Sequence, residues 1–174
     1  MNEPAHRLWD LAAAVGERLR RRQWHLTCAE SCTAGGVAYA VTQIAGSSGW
    51  FERGFVVYSN QAKIDLLGVA PALLQERGAV SEEVALAMVH GALAHSRAQA
   101  ALSVTGIAGP DGGSAAKPVG TVCFAWGLRP QPAAAVQVEV RTRHFAGDRA
   151  AVRTRSIDEA LQGLLEILRP DEAR

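Results

Sequence analysis

Trp24-His-Leu-Thr-Cys-Ala29 runs without a break into Glu30-Ser-Cys-Thr-Ala-Gly-Gly36, and that in turn into Val37-Ala-Tyr-Ala-Val41. The first six residues are a short apolar run of strand length. The glycines make a turn, and Val37, Ala38, Ala40, Val41 and Ile44 then recur at helical spacing until Gly46 stops them. A buried strand that empties through a glycine turn into a helix opens an α/β unit.

The flanking sequence continues the pattern. Upstream, residues 5–22 place Leu8, Leu11, Ala12, Val15 and Leu19 on one helical stripe. Downstream, Phe55-Val-Val-Tyr58 is β-branched and aromatic and reads as a strand. Residues 60–67 and 71–77 read as short helices divided by Gly68 and Pro71. Ser81 is placed to cap a helix over 82–96, with Glu82 and Glu83 in its first turn, where anions are favoured. Ala100 to Val104 reads as a strand, 105–118 as a glycine- and proline-rich loop, and 120–126 and the stretch from Val136 as two further strands joined through Pro130 and Pro132. Asp148 is placed to cap a last helix carrying Val152, Ile157, Leu161, Leu164 and Leu168 on one face. Strands alternating with helices, then two adjacent strands, predict one three-layer α/β/α domain over 1–174 with a mixed, mostly parallel sheet.

Composition narrows the function. With 174 residues, 48% of them apolar, the chain can bury one core but not two comfortable ones. A net charge of +1 gives no grip on nucleic acid. The run Arg18, Arg20, Arg21 and Arg22 falls at a helix end, where cations complement the dipole. Cys28, Cys32 and Cys123 are an odd set with no CxxC, as in a reducing compartment. His6, His25, His90, His95 and His144 have no metal-ligand spacing, so no metal site is expected. No apolar stretch approaches a membrane span and the N-terminus lacks a signal-like apolar region, so the expectation is a soluble cytoplasmic domain without a membrane partner.

Of eighteen basic residues only Lys63 and Lys117 are lysines, and both sit in irregular, motif-like stretches. A lysine can shed its proton in a shielded site, whereas a guanidinium effectively cannot. Lys63 in Tyr58-Ser-Asn-Gln-Ala-Lys63 and Ser31 in the glycine turn are the materials of a Ser–Lys hydrolase pair. Taken singly, Ser31 reads equally as a helix cap, and Lys63 as a solvated helix residue. Three distinctive segments follow the ends of three strands: Ser31, Tyr58 to Lys63, and Thr105 to Lys117. Those ends are where open α/β sheets collect ligands. The glycines at 106, 109, 112 and 113 match neither a Walker A loop nor GxGxxG. Glu30 reads as a ligand contact or a paired charge, and Arg149 as a grip on an anion or a partner for a neighbouring acid.

Together these segments resemble the CinA C-terminal domain family. The matching text is Ala29-Glu-Ser-Cys-Thr-Ala-Gly35, Ile44-Ala-Gly-Ser-Ser48, Phe51-Glu-Arg-Gly-Phe55, Tyr58-Ser-Asn-Gln-Ala-Lys63, Gly78-Ala-Val-Ser81, Thr105-Gly-Ile-Ala-Gly-Pro-Asp-Gly-Gly-Ser114 and Lys117-Pro-Val-Gly120. The resemblance runs from about residue 5 to 168 and is to the stand-alone form, which lacks the separate N-terminal domain of longer members. It implies hydrolysis of nicotinamide mononucleotide to nicotinic acid mononucleotide and ammonia, a step of pyridine nucleotide recycling, with no cofactor and a homo-oligomeric enzyme. It also implies Ser31 as nucleophile, Lys63 as base and Tyr58 as an orienting hydroxyl. Glu30, Thr33, Gly35, Asn60, Thr105, Gly106 and Arg149 would then contact substrate. Two departures stand out: Ala34 replaces a frequent glycine, and Ala116 replaces a commonly acidic residue before Lys117. The alternative reading is a non-catalytic nucleotide-binding or competence-related interaction module.

Overall fold

The computed structural model describes residues 3–168. Eleven helices and strands alternate as the sequence predicts: α1 (Glu3–Arg22), β1 (Leu26–Glu30), α2 (Gly36–Thr42), β2 (Phe51–Val56), α3 (Asn60–Leu67), α4 (Pro71–Arg77), α5 (Glu82–Ala94), β3 (Ala100–Gly106), β4 (Thr121–Leu128), β5 (Gln137–His144) and α6 (Arg149–Ile167). The sheet order is β2-β1-β3-β4-β5. β1 runs parallel to β2 and β3, whereas β4 is antiparallel to both β3 and β5. Four of the five strands therefore share one direction, and the late adjacent pair is the antiparallel edge.

Side-chain alternation splits the core into two layers. Leu26, Cys28, Leu102, Val104, Phe124 and Trp126 pack with α1, α2 and α6. Ala29, Ala101, Cys123 and Ala125 face the other way, toward α3, α4 and α5. The two expected caps form: Ser81 accepts from Val84 N–H and Asp148 from Ala151 N–H. Arg18 reaches across to α6 and donates to the Leu165 and Leu168 carbonyls, so this member of the arginine run closes a neighbouring helix end.

Two sequence expectations are revised. β2 starts at Phe51 rather than Phe55 and stops at Val56, leaving Tyr58 beyond it. Its Glu52-Arg53-Gly54 centre does not read as a strand, but an edge position tolerates charge and glycine. Ser31 is not a cap: α2 begins at Gly36, and the cap position is Gly35 with φ 88°.

One close contact ties the fold to the site. At Gly91 on α5 a Cβ would stand 2.1 Å from the Leu67 carbonyl oxygen, at the end of α3. Backbone cannot yield as a flexible side chain can. Gly91→Ala should cost about 2–3 kcal/mol in a denaturant melt, the upper range for overpacking, and should displace α3 and the lysine it carries.

Candidate active site

The site is assembled at the carboxyl ends of β1, β2 and β3. Ser31 N–H donates to Val104 O at 2.9 Å, so the β1–β3 ladder extends through the nucleophile candidate itself. Alternation then decides what each neighbour faces. Glu30 points with Cys28 into the α2 layer, and Ser31 points with Ala29 toward α3. There Ser31 Oγ lies 3.0 Å from Lys63 Nζ. Lys63 sits in the first turn of α3, whose start is capped by Ser59 accepting from Ala62 N–H.

Lys63 is only 1% exposed. Its amine donates to the Val57 carbonyl at 2.9 Å and the Tyr58 carbonyl at 3.3 Å. Neither is a carboxylate, so no counter-ion holds the proton on. Burial pushes the lysine below its ordinary range, because desolvation penalises the ammonium. With two hydrogens held by two carbonyls, the neutral amine would aim its lone pair at Ser31 Oγ. The thiol of Cys32, next along the chain, is pushed up to about 12, first by burial. It stays protonated and is a poor rival nucleophile.

A cavity of about 200 Å³ opens over this pair. Ser31, Lys63, Tyr58, Asn60, Thr105, Gly106 and Arg149 all line it, seven of the ten residues singled out in the sequence. Tyr58 is 58% exposed at the rim. Its hydroxyl accepts from Arg149 at 3.1 Å, and Arg149 also donates to Gly109 O at 2.9 Å. The guanidinium thus joins the loop after β3 to the segment after β2, and bonds no acid. Thr105 spends its hydroxyl on the Ala79 carbonyl at 2.7 Å. A Cβ at Gly106 would meet the Val122 side chain at 2.7 Å, so glycine there serves packing as well.

The other three, Glu30, Thr33 and Gly35, do not line the cavity; they build the turn behind it. The Glu30 carboxylate accepts from Val37 N–H at 3.0 Å and Ala38 N–H at 2.9 Å, fastening the start of α2 to the end of β1. Thr33 is wholly buried and its carbonyl accepts from Arg153 at 2.9 Å. Ala34, at φ 51°, holds the left-handed conformation that favours the glycine seen in the resemblance.

Sequence reasoning did not single out Cys32, Ala79, Val80 and Ala108 as cavity walls, or Arg153 as a brace for the turn. The signal for Arg153 was its position one helical turn beyond Arg149. Lys117 lies outside the cavity and donates to Arg77 O at 2.7 Å, a cation on the carbonyl end of α4. Among the described residues no group of three or more His, Cys, Asp or Glu is placed to hold a metal ion, and no helix is long and apolar enough to cross a membrane.

The family profile of the CinA C-terminal domain matches residues 9–168. This chain belongs to the CinA C-terminal domain family. A nicotinamide-nucleotide amidohydrolase PncC of Pseudomonas putida is 52% identical over 157 residues, covering 90% of this chain and 94% of the relative. The protein of that name from Escherichia coli K12 is 52% identical over 159 residues, covering 90% and 92%. A CinA-like protein of Syntrophobacter fumaroxidans is 49% identical, but the match takes in only 37% of that longer protein. Among solved structures, the competence/damage inducible protein CihA of Agrobacterium tumefaciens superposes with a TM-score of 0.87 at 42% identity, covering 94% of this chain and 96% of that one. The observed α/β/α sandwich is thus the CinA fold.

Proposed function

We propose that this chain hydrolyses the carboxamide of nicotinamide mononucleotide, with Ser31 as nucleophile and Lys63 as its base. The observation that carries the chemistry is the 3.0 Å approach of Ser31 Oγ to a buried lysine that has no carboxylate partner. The substrate comes from the relatives named above, about half identical over nine-tenths of the chain.

In this reading Ser31 Oγ attacks the amide carbon while its proton passes to Lys63 Nζ. The tetrahedral adduct collapses as Lys63 returns that proton to the amide nitrogen, and ammonia leaves an ester on Ser31. Water, deprotonated by Lys63, then attacks the ester carbon; as the bond to Ser31 Oγ breaks, Lys63 passes that proton to Oγ, which restores the hydroxyl and the neutral amine, and the released acid ionises to the carboxylate. Ser31 N–H is engaged by Val104 O and Ile107 N–H by Thr121 O. Within the turn, Ala34 and Gly36 N–H are taken by the Ser31 and Thr33 carbonyls, and Val37 and Ala38 by Glu30, so the amide of Cys32, at the cavity wall, is the one in this reading that receives the oxyanion.

A cavity of about 200 Å³ has room for a flat heteroaromatic amide but not for a whole nucleotide. The ribose phosphate would leave over the rim, where Arg149 waits. Arg149→Ala should raise KM for the nucleotide by about tenfold or more, with a smaller fall in kcat, as expected when ground-state phosphate binding is lost. A pure kcat defect would instead move Arg149 into the transition state. The deciding experiment is ammonia release from nicotinamide mononucleotide at neutral pH, with EDTA present because the Ser–Lys chemistry requires no metal. Release from the nucleotide but not from free nicotinamide supports the reading. Release from another small amide alone overturns the substrate, and nucleotide binding with no release from any amide favours the interaction module.

A further inference from the structure

Among the described residues, the Lys63 amine bonds only uncharged oxygens: Val57 O at 2.9 Å, Tyr58 O at 3.3 Å and Ser31 Oγ at 3.0 Å. The carboxylate next to the nucleophile, Glu30, is turned to the other side of the sheet, where Val37 and Ala38 N–H occupy it. The charged and titratable groups that line the cavity with Lys63 are Cys32 in the turn, Tyr58 after β2 and Arg149 on α6. Burial keeps the Cys32 thiol protonated, Tyr58 carries its hydroxyl to Arg149, and Arg149 is itself a cation. α5, packed on α3, turns apolar residues inward. No group around the lysine supplies a negative charge.

Hydrolysis through Ser31 creates such a charge in place. The acyl carbon is bonded to Ser31 Oγ, one hydrogen-bond length from Lys63 Nζ, until water frees it as a carboxylic acid. A carboxylic acid has a pKa near ~4, and a lysine lowered by even ~4 units from ~10.4 is still the stronger base. The acid O–H bond therefore breaks toward the amine. Its proton moves to Nζ, and a carboxylate and an ammonium face each other inside the cavity. We propose that the site holds its carboxylate product more tightly than its amide substrate through this ion pair with Lys63, so that aromatic carboxylates of the product's class inhibit the reaction. The proposal rests on the Ser31–Lys63 assignment. The amide offers the same lysine no charge. Ring, ribose and phosphate are common to both nucleotides, so whatever Arg149 gives one it gives the other. Linkage then sets the pH dependence. An anion that raises the pKa of Lys63 binds the ammonium more tightly than the amine by that same factor, about 10–1000-fold for an opposite charge at close range. Product binding takes up a proton, and the amine is free to act as base only after the carboxylate leaves.

The test is titration calorimetry on the full chain carrying Ser31→Ala, which binds without turning over. Nicotinic acid mononucleotide and nicotinamide mononucleotide are compared from about pH 6 to about pH 10, in buffers of different ionisation enthalpy. The acid should bind about tenfold or more tightly than the amide at neutral pH, and its advantage should shrink as pH rises. Within that range the acid should take up as much as one proton more than the amide does. Adding Lys63→Met should remove both the preference and the extra proton. The proton count in Ser31→Ala alone does not depend on how the double variant folds. In the wild type the acid should inhibit ammonia release competitively, and less strongly as pH rises. Equal binding of the two nucleotides with no extra proton, or a preference for the acid that survives Lys63→Met, overturns the proposal and leaves the amidase reading standing. Failure of both nucleotides to bind overturns the substrate assignment and the proposal together.

Discussion

Lys63→Arg should be as inactive as Lys63→Met, each losing about 10³–10⁴-fold in kcat, the upper range for removal of a general base that also activates the nucleophile. Arginine keeps the positive charge and the capacity to donate to Val57 O and Tyr58 O, so a merely electrostatic or structural role would be rescued. It cannot surrender a proton. The wild type carries a second signature. Because burial lowers the lysine's pKa, kcat/KM should rise with pH along a limb that lies below the ordinary lysine range. The limb should vanish from the residual activity of either variant. Stability follows the same group with a defined sign. The unfolded chain binds this proton more tightly than the folded one, so the penalty is full below the folded pKa. It is relieved as pH rises from there to the ordinary lysine value. Near-wild-type turnover in Lys63→Arg would remove Lys63 from the base role.

Ser31→Ala should abolish ammonia release, with a loss of about 10⁴-fold or more, since the adduct and the ester both form on its Oγ. Nucleotide binding should survive, because the hydroxyl is a small part of the cavity wall. Cys32→Ser should stay within about threefold of wild type, as a thiol pushed up by burial contributes no thiolate. The pair of variants separates the two adjacent candidates. Mass spectrometry of acid-quenched wild type should find the acyl group on the peptide carrying Ser31 and not after Ser31→Ala. Full activity in Ser31→Ala would rule out the covalent route.

The strand–turn–helix stretch around Ser31 carried most of the fold. Its apolar run and its glycines match what forms there, and the helix after them forms but ends at Thr42, short of Ile44 and Gly46. Ser31 and Lys63 stood out in the sequence as a candidate pair because residue type alone restricts which groups can act as nucleophile and base, and the fold brings the two within 3.0 Å. Glu30 shows the limit. Pattern matching put it in the site, yet strand alternation already forbids Glu30 and Ser31 from facing one cavity, and that rule was available in the sequence. Thr33 and Gly35 are similar: a turn that delivers a side chain need not present its own. The start of β2 was hidden for another reason. Glu52, Arg53 and Gly54 carry no strand preference, and only their place at the sheet edge makes an extended conformation tolerable there. The apolar neighbours Ala79, Val80 and Ala108 reach the cavity through tertiary packing, which no local pattern encodes.

The division of labour at the end of β1 has a consequence for how this sequence can vary. Glu30 fastens α2 on one side of the sheet while Ser31 meets Lys63 on the other. Deleting or inserting one residue within β1 would exchange them, sending a carboxylate toward the lysine and a hydroxyl toward the amides that the carboxylate now satisfies. The lysine would gain the counter-ion it lacks and be locked in its charged form. Length changes in this strand are therefore barred by chemistry as well as by packing, whereas the connection through Pro130 and Pro132 is free to lengthen or shorten.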